Sequence, residues 1–189
     1  MNNNEIVVLV ESKLLEGVTR EDIFRELGGT DDVARVIAST PDFQLRQKYA
    51  KLNWILVAIV TYLGLLKFVL YLPEFINTHF SLYFLPVLLM IPSAAIYFAL
   101  QIRKFRGGCY GISGLLLVAV IVKNIRTLDS LMIDVKSFMI WLVILIPLIA
   151  GCIIAFFLKM KLCPYLGWLG AKTDSAGKYK FINNESLLN

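Results

Sequence analysis

Few residues in this apolar chain are suited to chemistry. There is one histidine, His79, and there are three cysteines, Cys109, Cys152 and Cys163. The cysteines lack Cys-x-x-Cys spacing and lie far from His79 in sequence, so they suggest no metal site. Cys109 and Cys163 fall near expected helix ends, where S-acylation is one reading and a reduced, packed thiol the other. His79 has no obvious Ser or Cys partner. Paired Asp and the His-Glu-x-x-His motif are absent from the apolar runs. The glycine-rich stretch 107–114, GGCYGISG, lacks the strand and lysine of a phosphate loop. The expectation is a protein that is not an enzyme and uses no cofactor.

Three other groups of residues offer binding or packing. Lys67 is the one charge well inside an apolar run, and intramembrane charges default to a functional reading. The plainer alternative is snorkelling, because Leu72 is only about 7–8 Å further along a helix. With Lys123 it would line the outer mouth of a bundle, near Glu74, Asp129 and Asp134, a place suited to an anion, a headgroup or simple ion pairs. Gly107, Gly111 and Gly114 would let one helix approach another closely, within the chain or between protomers. Glu21, Asp22 and Glu26 belong to an acidic segment. Residues 1–39 carry −4, whereas residues 40–189 carry +9. These acids would dock a basic soluble partner, or pair with Arg46, Lys48 and Lys51. Three short helices also suggest a helix-turn-helix DNA reader, but a DNA-binding surface should be basic, so no nucleic acid is expected.

The elements that position these groups follow from pattern. Residues 5–16 read as a helix ended by Gly17. Thr19 and Asp22 resemble a capping box, Val18 and Ile23 a staple, and Gly28 and Gly29 a stop. Thr30 caps a third helix, DDVARVIAS, whose acidic first turn suits the helix dipole. Residues 1–40 are thus an expected helical mini-domain. From Thr40, as N-cap, and Pro41 one helix runs from water into lipid and ends before Pro73.

The runs 54–72, 81–102, 108–124 and 138–158 are expected spans, with a re-entrant third as the runner-up. Pro86, Pro92 and Pro147 mark kinks. Residues 123–137 read as a surface helix, and 161–189 as a tail with a turn at 174–177. No cleavable signal peptide is expected, because residues 1–5 lack a basic region.

Eleven Lys and Arg flank one side of this arrangement and three the other, which predicts both termini in the cytoplasm of a cell with an inner membrane. The expected class is all-α, a polytopic four-span bundle that forms a homo-oligomer. In architecture it resembles the small four-span membrane subunits of bacterial anti-phage systems of the Kiwa type. It also resembles four-span immunity proteins against pore-forming colicins. The first resemblance implies a membrane sensor that holds a soluble cytoplasmic partner. The alternatives are a small channel or pore-forming effector, and an immunity protein.

Overall fold

The computed structural model describes residues 3–77, 85–126, 135–168, 170–173 and 177–182. Among these residues it is all-helical: α1 (Asn3–Leu15), α2 (Arg20–Glu26), α3 (Asp31–Ser39), α4 (Phe43–Asn77), α5 (Leu85–Arg103), α6 (Gly107–Arg126) and α7 (Val135–Leu162). A 3-10 turn follows at Lys180–Ile182.

Local chemistry sets the lengths of the short helices. Thr19 and Thr30 are N-caps whose hydroxyls accept from the amides of Asp22 and Val33. Both α1 and α2 end in the paired backbone bonds of a Schellman motif. Gly17 N donates to Leu14 O and Val18 N to Lys13 O; Gly28 N donates to Arg25 O and Gly29 N to Phe24 O. Gly17 and Gly28 sit at φ +80° and +86°, where a side chain would be strained. The end of α5 has the same pattern, Phe105 N to Ile102 O and Arg106 N to Gln101 O. Here the left-handed residue is Phe105, at φ 55°. Its ring packs against the core, which offsets the backbone strain.

Two boundaries differ from the sequence reading. Thr40 closes α3 and does not cap α4. Its hydroxyl donates to Val36 O at 2.8 Å and its amide to Ile37 O at 3.4 Å. Pro41 disfavours helical backbone at Thr40, so the chain straightens there and α4 starts at Phe43. α4 also continues through Pro73 to Asn77. Proline removes the bond to the carbonyl four residues back, and this close to the helix end little else is lost.

Among the described residues, three helical stretches are long and apolar enough to cross a membrane: Phe43–Leu70, Gly107–Ile125 and Trp141–Leu162. The third expected span, read as 108–124, lies in a 20-residue helix that includes Lys123 and Asn124. α5 has 19 residues, with Pro86 in its first turn and Pro92 inside it. The expected surface helix is divided: 123–126 belong to α6, 135–137 to α7, and 127–134 lie outside the described residues. Glu74 is in α4, but nothing is described of its side chain, and His79, Asp129 and Asp134 also lie outside the described set.

α4 packs mainly on α5 and α6 on α7, and α4 against α7 joins the two pairs. α1–α3 form a head on one end of this bundle. After α7 the chain turns back through antiparallel bridges Leu166–Ala171 and Thr173–Tyr179. Gly177 lies between the last two, at φ +76°. The expected turn falls there, and residues 174–176 lie outside the described set. This return lays Tyr179 and Phe181 edge-on against Phe24 of α2, at centroid distances of 5.3 and 5.6 Å.

Candidate functional site

Head and bundle meet in one continuous packed junction. Its core is one cluster that takes Ile6 and Val10 from α1, Ile23 from α2 and Ile37 from α3. It continues without a break into Leu56 of α4, Ile102 of α5, Tyr110 of α6 and Leu158 of α7. Polar groups lock it. Arg20 Nη1 donates to Ile37 O at 2.6 Å and Thr40 O at 3.1 Å, and Nη2 to Asp42 Oδ1 at 2.7 Å. The guanidinium also stands over the Tyr165 ring, 5.6 Å from its centroid. One side chain thus joins α2, the end of α3, the approach to α4 and the tail. Arg46 Nη2 donates to Glu11 Oε1 at 2.7 Å, which ties α1 to α4.

A second lock lies one layer further into the bundle. Asn53 Nδ2 donates to Ile102 O at 3.0 Å, and Tyr110 OH donates to Asn53 Oδ1 at 2.6 Å. Asn53 and Tyr110 are fully buried. In a low-dielectric interior such a pair holds three helices in one register, because an unmade bond there is costly.

Cys163, just past α7, is buried and its thiol faces Ser39 O at 3.5 Å. Burial pushes it up to about 12, and nearby Arg20 and Arg46 only partly offset this. A neutral, enclosed thiol is a poor nucleophile, and its burial fits the reading of Cys163 as a packed thiol. Tyr179 donates to Asp31, and that bond raises its phenol above the usual range.

Beyond the second lock lies a cavity of about 520 Å³ between α4, α5, α6 and α7. Its wall is mostly apolar, with Lys67, Ser113 and Asn124 as the polar members. Lys123, on α6, is exposed. On the head side of the cavity, each helix contributes a fully buried residue: Leu56, Ile102, Tyr110 and Leu158.

The structure places the three glycines on one face of α6, against α7. A Cβ on Gly107 would lie 2.4 Å from Cys163 Sγ and 2.7 Å from Ser39 O. On Gly111 it would meet the Lys159 chain at 3.3 Å, and on Gly114 the Phe156 ring at 3.0 Å. The partners descend as the glycines ascend, so the two helices run antiparallel. Two further close approaches lie outside the sequence candidates. A Cβ on Gly64 would fall 2.2 Å from Ala95 Cβ, and one on Gly151 2.9 Å from Ile59.

Each of the three candidate docking acids has a partner inside the chain. Glu21 pairs with Arg25 at 2.5 Å and Glu26 with Lys13 at 2.5 Å. Asp22 accepts from Thr19 Oγ1 at 2.6 Å. Asp22 and Glu26 remain exposed. Sequence reasoning missed Arg20, Asn53 and Tyr110. The signal for Asn53 is an amide just before Trp54, at the point where the apolar run begins.

No protein-family model, curated protein or solved structure matches this chain.

Proposed function

We propose that the chain is a non-enzymatic membrane sensor and scaffold, which couples events in the bilayer to a soluble protein bound at its head. The observation that carries this is the unbroken core from α1–α3 into all four long helices. A tilt or rotation of those helices reaches the head without a slack linker. In this reading α5 is the fourth crossing. Its 19 residues extend about 28 Å, close to the hydrocarbon thickness, and it lies along α4. An even number of crossings puts both termini on one side, and the Lys/Arg bias makes that side the cytoplasm of the inner membrane. The resemblance to anti-phage subunits suggests defence as the setting, with the chain as a homo-oligomer.

The acids argue for structural use over catalysis. Glu11, Glu21, Asp22, Glu26, Asp31 and Asp42 are each engaged by a side chain of the same protein. The proposed docking surface is the exposed acidic face of α2, where a basic partner would compete with Arg25 and Lys13. The competing reading is a pore through the bundle. Leu56, Ile102, Tyr110 and Leu158 are fully buried and belong to one packed core on the head side of the bundle, which supports the sensor reading. Two measurements test the proposal. The full chain, purified from its native host, should carry a soluble protein that Glu21→Lys, Asp22→Lys, Glu26→Lys loses. The purified chain in liposomes should pass no ions. Ion flux, or a charge-reversed chain that keeps every partner, contradicts the reading.

A further inference from the structure

A second hollow, of about 960 Å³, lies where the head meets the bundle and draws on α1, α3, the α5–α6 turn, α7 and the tail. Five cations line it: Arg35, Arg46, Lys104, Arg106 and Lys159. Two carboxylates, Glu11 and Asp32, oppose them. Glu11 is already paired with Arg46. Arg35, Lys104 and Arg106 are exposed and make no ion pair among the described residues. The Schellman turn at Phe105 places Lys104 and Arg106 on either side of the bend. Next to them α6 begins with Gly107 and Gly108, both lining the hollow, and a Cβ on Gly108 would meet nothing within 4 Å. Bare amides at the start of a 20-residue helix add positive potential to the cations.

The wall toward the bilayer is different. Ile112 and Leu115 line the hollow, belong to a membrane-length helix and are each about half exposed. Trp168 stands at the rim, with Lys159 Nζ 3.4 Å from its ring centroid, an aromatic and basic pairing suited to the headgroup level. A soluble anion would use the cations and ignore the apolar wall. A lipid with a phosphate headgroup uses both.

We infer that this hollow binds one anionic phospholipid. Its phosphate lies among Arg35, Lys104, Arg106 and the first turn of α6, and its acyl chains run along Ile112 and Leu115. The site is independent of partner docking, because it shares no residue with the acidic face of α2.

The test uses the full chain, delipidated in detergent and titrated by native mass spectrometry. The probes are phosphatidylglycerol, phosphatidylcholine and inorganic phosphate. One phosphatidylglycerol per chain should be retained, phosphatidylcholine should not, and inorganic phosphate should not displace it. Lys104→Gln with Arg106→Gln should weaken retention roughly thirtyfold, and Arg35→Gln alone roughly fivefold. Lys48→Gln with Lys51→Gln removes the same charge outside the hollow and should change nothing. Equal loss in both double variants would show diffuse surface charge and overturn the site. Equal retention of phosphatidylcholine would reduce it to an apolar groove, and displacement by phosphate would make it a soluble-anion site. Either result also overturns the inference.

Discussion

The two halves of the bundle are built differently. On the head side, Asn53, Leu56, Ile102, Tyr110, Leu158 and Leu162 are almost completely buried, and Arg20 fastens three segments above them. On the other side of Tyr110, the same four helices enclose the cavity at Lys67, and Leu148 is its fully buried wall residue. The difference has a physical basis. The head half has the head and tail to pack against, so large side chains there lose water on every side. Among the described residues the cavity half packs helix against helix, and close approach depends on Gly64 and Gly151. Dense packing makes the head half a lever, and the void leaves the other half room to rearrange.

Breaking the head half should cost most. Arg20→Ala removes three hydrogen bonds from a largely buried guanidinium and leaves Asp42 without its partner. It should destabilise the protein by about 3–5 kcal/mol in denaturant unfolding in detergent. Arg25→Ala, whose side chain is 73% exposed, should cost less than about 0.5 kcal/mol and serves as the control.

Helix contacts come next. Gly64→Leu forces α4 away from α5 and should cost about 1–3 kcal/mol or more. Gly107→Ala should cost more than Gly111→Ala. The first would meet a backbone oxygen, Ser39 O, and the second the mobile chain of Lys159. If the two cost the same, the glycine face is permissive only.

Tyr110→Phe should cost about 1–3 kcal/mol, since Asn53 Oδ1 is left buried without a donor. A shift below about 0.5 kcal/mol would mean that the polar lock contributes little to holding the three helices together.

A smaller, pH-dependent effect belongs to Cys163. The folded thiol is raised to about 12 from an ordinary value of 9.0, so the unfolded chain ionises first as pH rises. Stability from this group is complete below pH 9.0, falls through the interval and is lost above about 12. Cys163→Ala should flatten the stability profile in that window. An unchanged profile would show that the thiol is not enclosed.

How much of this was readable from sequence depends on how local each signal is. α3 is found at the expected residues, Asp31–Ser39, because its cap, acidic first turn and preceding glycines all act within one helix. Three of the four apolar runs were equally plain, and they fall in the helices of membrane-crossing length. The end of α4 was not, because Pro73 suggests a stop by its type, yet the helix runs through it to Asn77. The tail was opaque for another reason. Tyr165, Tyr179 and Phe181 follow no helical or strand period, and their purpose appears only when Phe24 is beside them. The Asn53–Tyr110 bond spans 57 residues, and no local pattern announces such a partner. For the candidate site, Lys67 could be singled out from its chemistry alone. The cations around Arg106 were counted for topology, since only the fold brings Arg35 to them.

The central claim is that head and bundle form one cooperative body, and amide hydrogen exchange on a bundle variant tests it most directly. Leu56→Ala opens a void inside the bundle, with an expected cost of about 2–5 kcal/mol, and leaves the side chains of α1–α3 unchanged. The account predicts that the amides of α3, Val33 to Ala38, lose protection together with those near Leu158. Wild-type protection in α3 with loosened α7 would show a head that opens independently of the bundle, and would contradict the account.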